Sequence, residues 1–207
     1  MPYKNIILIP EGIIFNEKIT ERTAVKNTLK KFGINNWNDK KELFNQIFNR
    51  YLNETRIKRH ELLLTALLSE VNLNESKSIF YQELNYQNHL VKNIQTDLTN
   101  LSSTANTVIY SFLPQELINT RLNNTNLSIK FSVFSANSTN KFTKIIQEKQ
   151  WDTEETLVIG TNLSDEIQQA NDENVDSMWI STGRKVPITP HPTLHVKKFA
   201  DCLFYFS

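Results

Sequence analysis

The spacing of apolar residues changes twice along the chain. Residues 6–9 form an unbroken apolar run that ends at a Pro-Glu-Gly turn, which is typical of a short buried strand. From about residue 17 to residue 101 the apolar positions recur at helical spacing, with Gly33 as the one glycine and no proline. Further on, short apolar runs alternate with helical stretches. The pattern predicts a strand, a block of helices, and then alternating strands and helices.

The helical block divides into five amphipathic segments. Gly33 follows the first segment, where a glycine is typical of a helix C-terminal cap. The fifth segment is predicted to begin near residue 87. The apolar faces of the five predicted helices fall within residues 19–32, 43–51, 62–71, 79–86 and 87–101.

The second half of the chain predicts a parallel sheet. Strand–helix alternation with short connections is typical of such a sheet, covered by helices on both faces. Ligands of these sheets bind beyond the carboxyl ends of the strands. The predicted strands are 107–111, 129–134, 156–160 and 177–181, the predicted helices are 114–122, 142–149 and 165–170, and a tail spans 193–206.

Composition narrows the classes of partner. A chain of 207 residues with a net charge of +1, its basic residues scattered among acidic ones, gives no basic patch for nucleic acid or an anionic membrane. No apolar run approaches the roughly 18 residues that span a bilayer. Cys202 is the only cysteine, so an internal disulfide is excluded. With no secretory signal in the sequence, we expect a cytoplasmic protein.

The turn after the first strand resembles a known motif. In the haloacid dehalogenase-like (HAD) hydrolases, a buried strand is followed by Asp-x-Asp-Gly-Thr-Leu. Laid on that motif, Gly12 matches the glycine and Glu11 takes the place of the second aspartate. Ile9 stands where the nucleophilic aspartate belongs, and Ile13 replaces the threonine. An isoleucine side chain can neither attack phosphorus nor bind a metal, so the resemblance implies the fold without its usual nucleophile.

The second and third motifs are matched less closely. The second is a strand that ends in Ser or Thr, whose hydroxyl binds a phosphoryl oxygen, and Ser111 supplies that hydroxyl. The helix that follows resembles the nucleotidase-like branch of the family, although Ser111 could equally cap this helix. The third motif is a lysine, and ungapped counting places Ala136 there. Lys141 or Lys144 could replace it if the loop is shortened, and both could equally be solvated helix residues.

The fourth motif gives the strongest local resemblance. Residues 157–170 match its apolar strand, its glycine turn and the helix that carries Asp165. The aspartate that normally binds Mg²⁺ directly is Thr161 in this chain, and Asn162 in the same turn is a further candidate for the ligand cleft. An acid in the first turn of a helix also complements the helix dipole, so Asp165 has a purely structural alternative.

The resemblance also implies how a metal would be held. The family's metal is bound by two carboxylates and by the backbone carbonyl of the second acid, and this chain retains at most Asp165 and the carbonyl of Glu11. Magnesium prefers oxygen ligands that include carboxylates. We therefore expect no cofactor, with Mg²⁺ as the alternative.

The fold class that follows is α/β, a Rossmann-like core with a mainly parallel sheet and an inserted all-helical cap. We expect residues 1–16 and 102–207 to form the core and residues 17–101 the cap. The favoured hypothesis is a pseudoenzyme that binds a protein partner or a small ligand. A divergent phosphatase or nucleotidase using Glu11 and Asp165 is the second hypothesis, and a structural, oligomerising subunit is the third.

Overall fold

A single parallel sheet forms the centre of the protein. The computed structural model describes residues 3–136 and 141–206. Within these residues the strand order is β3-β2-β1-β4-β5-β6, and every neighbouring pair is parallel. The strands are Asn5–Leu8 (β1), Asn106–Ser111 (β2), Ser132–Ser135 (β3), Thr156–Gly160 (β4), Asp176–Ile180 (β5) and Leu194–Val196 (β6). The predicted α/β class is confirmed.

Helices connect the first five strands along the chain and cover both faces of the sheet. One face packs against α7 and α8, and its apolar cluster includes Ile7, Ile9 and Phe142. The other face belongs to the larger core, which includes Ile6 and Leu8 of β1. The helices are Glu17–Lys31 (α1), Trp37–Arg50 (α2), Arg56–Leu67 (α3), Leu73–Asn85 (α4), Ile94–Thr104 (α5), Gln115–Asn123 (α6), Phe142–Lys149 (α7) and Gln168–Asp172 (α8). None of these helices is both long and apolar enough to cross a membrane.

The first four helices, which we call the helical insert (α1–α4), lie between β1 and β2 in the chain. Helix α1 packs along α4, and α2 packs along α3. Side chains cap three of the four N-termini: Asn16, Thr55 and Asn72 each accept a hydrogen bond from a backbone N–H in the first turn. These bonds satisfy donors that a helix end otherwise leaves unpaired. The insert is therefore a packed unit with well-defined helix starts.

The predicted fifth helix is wrong at its beginning, because α5 starts at Ile94 and not near residue 87. Residues 87–93 instead pair with the chain that enters the insert. The N–H of Asn16 donates to the carbonyl of His89 at 2.8 Å, and the N–H of Val91 donates to the carbonyl of Ile14 at 2.9 Å. Backbone groups engaged across two segments are not available for a helix. The division into residues 1–16 with 102–207, and 17–101, stays a prediction.

Two other boundaries differ from the sequence expectation. The strand predicted at 129–134 forms only as Ser132–Ser135, because Ile129 and Phe131 are held by side-chain packing against the core and not by the ladder. The helix predicted from Asp165 begins earlier, as a π-helical turn over Leu163–Ile167 that continues into α8. This turn lies directly after β4, at the carboxyl edge of the sheet.

Candidate functional site

The turns after β1 and β4 meet at the carboxyl edge of the sheet. Gly12 has a φ of 82°, and a Cβ at this position would lie 2.6 Å from Oγ1 of Thr161. Only glycine fits such a conformation and such a close approach without strain. The Thr161 hydroxyl then donates to the backbone carbonyl of Glu11 at 3.2 Å. Glycine at position 12 therefore sets the distance between the two motif turns.

The turn after β4 is organised around two side chains. Asn162 accepts hydrogen bonds from the backbone N–H groups of Ser164 and Asp165, at 2.8 and 2.9 Å. The Glu166 carboxylate folds back and accepts from the N–H groups of Thr161 and Asn162, at 2.5 and 2.7 Å. A Cβ on Gly160 would lie 2.2 Å from Oε2 of Glu166. The Glu166 carboxylate therefore occupies the space that a side chain at residue 160 would fill.

A guanidinium from the helical insert lies at the centre of these turns. Arg56, the first residue of α3, is 1% exposed. Its Nη2 donates to the carbonyl of Glu11 at 3.3 Å and to Oγ1 of Thr161 at 3.2 Å. Its Nη1 pairs with Glu166 and lies 3.6 Å from Asp165, whose carboxylate also accepts from the Arg56 backbone N–H at 2.8 Å. Arg56 therefore joins the insert to both motif turns.

Further ion pairs link the charged side chains of α1 and α3 within the helical insert. Glu17 pairs with Nε of Arg56 at 2.5 Å and with Nη2 of Arg59 at 2.6 Å. Glu21 lies 2.5 Å from the same Arg59 nitrogen and 3.0 Å from Nε2 of His60. The acids come from α1 and the basic groups from α3. These side chains are at most 11% exposed, so the ion pairs that link α1 to α3 are largely shielded from water.

A second pair of opposite charges lies on the β2 side. The Ser111 hydroxyl donates to the Glu11 carboxylate, with oxygen distances of 3.2 and 3.3 Å. Arg121 of α6 lies 3.7 Å from the same carboxylate, stacks 3.8 Å from the Phe15 ring centroid and donates to the carbonyl of Gln87 at 2.9 Å. The Glu11 side chain is therefore directed to the position where, by the resemblance, Ser111 would meet a phosphoryl group.

We refer to the five acids and three arginines described above as the charge cluster. It comprises Glu11, Glu17, Glu21, Arg56, Arg59, Arg121, Asp165 and Glu166. Its five carboxylates exceed its three guanidinium groups, and burial disfavours every charged form.

The pKa shifts divide the acids of the charge cluster into two groups. Burial raises the pKa of Glu166 to about 7, and it also raises the pKa of Glu11 and Asp165 despite the nearby Arg56. For Glu17 burial acts in the same direction, but Arg56 and Arg59 outweigh it and lower the pKa. Arg59 and His60 likewise outweigh burial at Glu21 and lower its pKa to about 2. Acids on the sheet side therefore retain a proton more readily than the two acids between the helices.

The structure brings together most of the residues predicted from the motifs. Glu11, Gly12, Ser111, Thr161, Asn162 and Asp165 all lie at this edge. Ile9 instead contributes to the apolar cluster under α7. Lys141, just before α7, and Lys144 on α7 are exposed, and neither pairs with the charge cluster in the described residues. Lys141 lines a shallow depression that Asp165 also lines.

Sequence reasoning missed the arginines and their acids. A signal was present, because Arg56, Arg59 and His60 share one helical face with Leu63 and Leu64, and all five are buried. Charged residues at the apolar positions of an amphipathic helix indicate a buried ion-pair network. Glu17 and Glu21 of α1 are spaced by four residues in the same way.

With Arg56 in place, the residues at this edge do not fit a bound Mg²⁺ ion. The carbonyl of Glu11 and the turn after β4, which the resemblance assigns to the metal, both contact the Arg56 guanidinium. Within the part of the chain that the structure describes, no three His, Cys, Asp or Glu side chains are grouped to hold a metal. The cation at this position is the guanidinium of Arg56, which is part of the chain itself.

Comparisons with known proteins identify the fold. No protein-family model and no curated protein sequence matches the chain. Among solved structures, the HAD-hydrolase YfnB from Bacillus subtilis, bound to magnesium, has a TM-score of 0.79 and 19% identity over 99% of this chain and 98% of that one. The HAD-like family protein SP0104 from Streptococcus pneumoniae has a TM-score of 0.76 and 17% identity over 99% of both chains. The chain has the HAD-like hydrolase fold.

Removal of the central guanidinium should strongly destabilise the protein. Arg56→Met leaves the carboxylates of Glu166, Glu17 and Asp165 without their shared partner, and breaking a buried ion pair in this way costs about 3–5 kcal/mol. Urea unfolding followed by far-UV circular dichroism measures the loss. Lys58→Met is the matched control, because Lys58 lies on the same helix but its side chain is exposed.

The control variant should unfold at nearly the parent's urea concentration. An equal loss of stability in the two variants would contradict the central position of Arg56.

The raised pKa of Glu166 predicts a pH dependence. In the unfolded chain the carboxyl ionises near 4.5, and in the folded protein near 7. The folded state therefore binds the proton more tightly, and the stability that this contributes is complete below pH 4.5 and is lost as the pH rises to 7. Relative to Glu166→Gln, the parent's free energy of unfolding should fall by about 3 kcal/mol over this range.

Urea titrations of both proteins at half-unit pH steps test this. If the parent's free energy of unfolding relative to Glu166→Gln stays constant or rises with pH, the charge of Arg56 outweighs burial and Glu166 is fully ionised.

Proposed function

We propose that this chain uses the HAD-like fold to bind a protein partner or a small ligand, and does not transfer phosphoryl groups. The observation that carries the proposal is the position of Arg56. Its guanidinium contacts the carbonyl of Glu11 and the turn after β4. Phosphoryl transfer in this fold relies on a metal ion to neutralise developing negative charge, and a side chain that fills the metal's position removes that role.

The residues around Arg56 support the same proposal. Position 9 carries an isoleucine that packs in the apolar cluster, so the first motif offers no nucleophile. Glu11, the nearest acid, is 3% exposed and is held by Ser111 and Arg121. Burial raises the pKa of Glu11, and its oxygens are engaged by a hydroxyl and a guanidinium, so this side chain offers no free carboxylate for nucleophilic attack.

The alternative is a divergent phosphohydrolase that uses Glu11 and Asp165. Such an enzyme would need a free Asp165, whereas this carboxylate accepts from the backbone N–H of Arg56 at 2.8 Å. It would also need Arg56 to leave the cleft, and with it the first turn of α3. The relatives of the same fold are hydrolases, so activity must be measured directly.

Purified protein should give only background hydrolysis of p-nitrophenyl phosphate and of a panel of nucleoside monophosphates, with Mg²⁺ or Mn²⁺ present. Loss of the nucleophile alone typically lowers turnover by several orders of magnitude. Parent, Glu11→Gln and Asp165→Asn should therefore be indistinguishable. Glu154→Gln, which changes an exposed acid, is the matched control for preparation differences.

Metal-dependent activity that persists in Glu154→Gln and disappears in Glu11→Gln and Asp165→Asn would overturn the proposal. A contaminating phosphatase could not follow that pattern.

A further inference from the structure

A row of four cations runs along helix α1 of the insert. Lys18, Arg22, Lys26 and Lys30 follow one another at intervals of four residues, so consecutive members are neighbours on the helix surface. Lys26 and Lys30 are exposed, and Lys18 and Arg22 are half-buried. We call these four residues the basic stripe.

The two acids of α1 are directed toward α3 and not along the basic stripe. Glu17 and Glu21 both pair with Arg59, and Glu17 also pairs with Arg56. Basic and acidic residues alternate in the sequence of α1, but the folded helix uses the acids within the insert. The stripe is left without their charge.

Among the residues that the structure describes, none of the four cations is in an ion pair. Lys18 donates to Oδ1 of Asn49 at 3.3 Å and lies 5.5 Å from the Phe48 ring centroid. Glu83, the acid of α4 that reaches α1, accepts from Asn27 at 3.1 Å. Surface lysines elsewhere do pair with an acid, and these are Lys4, Lys58, Lys77 and Lys198.

The stability of α1 does not account for the basic stripe. Like charges four residues apart on a helix repel each other. Lys18 lies in the first turn, where the helix dipole disfavours a cation, whereas Lys30 in the last turn is favoured by it. A negatively charged surface placed against the stripe would offset the repulsion.

Positive charge is concentrated on this part of the molecule. Helices α1 and α2, with the turn between them, hold eight basic and four acidic residues, a net charge of +4, whereas the whole chain has +1. The remaining residues therefore carry −3. A local positive face on a nearly neutral chain suits a partner with a local acidic patch, because an extended polyanion would also meet the acidic remainder.

The surroundings of the stripe favour a polypeptide partner over a membrane or unpaired bases. The large exposed apolar side chains of the described residues all lie outside α1 and α2. A helix that enters a membrane surface needs an apolar face, and single-stranded nucleic acid is bound on exposed aromatic rings. Carboxylates of a protein surface need only the charges that the stripe offers.

We propose that the basic stripe is the docking surface for an acidic segment of a protein partner, whose carboxylates pair with Arg22, Lys26 and Lys30. This inference rests on the proposed function, because it names the chemistry of the protein partner. The docking surface is the solvent-exposed side of α1, whereas the charge cluster is buried.

Fluorescence anisotropy of labelled poly-L-glutamate, at fixed pH and low ionic strength, measures binding of an acidic polypeptide. Lys26→Glu/Lys30→Glu should weaken binding roughly tenfold or more, because it places like charges against the probe. Lys130→Glu/Lys185→Glu is the matched control, since it makes the same change of charge at two exposed residues outside the stripe. Circular dichroism checks that both variants are folded.

Binding that is weakened in Lys26→Glu/Lys30→Glu but stays within twofold of the parent in the control supports the proposal. No binding by the parent, or equal weakening in the two variants, overturns it. Tighter binding of a DNA duplex or of phosphatidylserine vesicles, with the same dependence on Lys26 and Lys30, overturns it in favour of that other partner. Metal-dependent hydrolysis would instead overturn the proposed function, whatever the titrations give.

Urea unfolding of Lys26→Gln/Lys30→Gln separates docking from a structural role and keeps the test valid if the charge-reversed variant fails to fold. Loss of the repulsion should leave the unfolding midpoint equal to the parent's or higher, while poly-L-glutamate binding weakens. A clearly lower midpoint with unchanged binding would give the stripe a structural role and overturn the proposal.

Discussion

The packing of the helical insert on the sheet depends on one buried guanidinium, that of Arg56. It contacts the turn after β1 and the turn after β4, and it also pairs with Glu17 of the insert. Hydrogen bonds between neutral groups also join the insert to the turn after β4. Nδ2 of Asn162 donates to the carbonyls of Leu52 and Glu54, at 3.1 and 2.8 Å. A buried ion pair need not stabilise a fold relative to apolar packing, but losing one partner leaves a charge that water cannot reach. The buried carboxylates around Arg56 therefore require a positive charge at its position.

Much of the fold could be predicted from the sequence, because each element leaves a local pattern. The apolar run at residues 6–9 predicted β1, and the Val-Ile-Gly run before Thr161 predicted β4 and its turn. The beginning of α5 could not be predicted, because residues 87–93 are amphipathic enough for a helix. What prevents the helix is the pairing of Val91 with Ile14 and of His89 with Asn16, which no local pattern reports.

The candidate site could be predicted in part only. The motif residues Glu11, Ser111 and Asp165 lie where the spacing placed them, since strand ends meet at one edge of a parallel sheet. Arg56 belongs to the insert, about 45 residues from the first motif, and no motif points to it. Gly12 and Gly160 make room for Thr161 and for the Glu166 carboxylate, both of which contact Arg56.

The most direct test of the central claim is the thermal unfolding of Arg56→Ala as a function of Mg²⁺ concentration. If the guanidinium takes the place of a cation that the surrounding oxygens require, the variant should melt below the parent without metal, and millimolar Mg²⁺ should raise its midpoint. A concentration 100-fold above Kd contributes about 2.7 kcal/mol, which corresponds to several degrees in a chain of this size. The thermal midpoint of the parent should not respond to Mg²⁺, because the Arg56 guanidinium already occupies this position. A variant as stable as the parent, or one that Mg²⁺ leaves unchanged, would contradict the account.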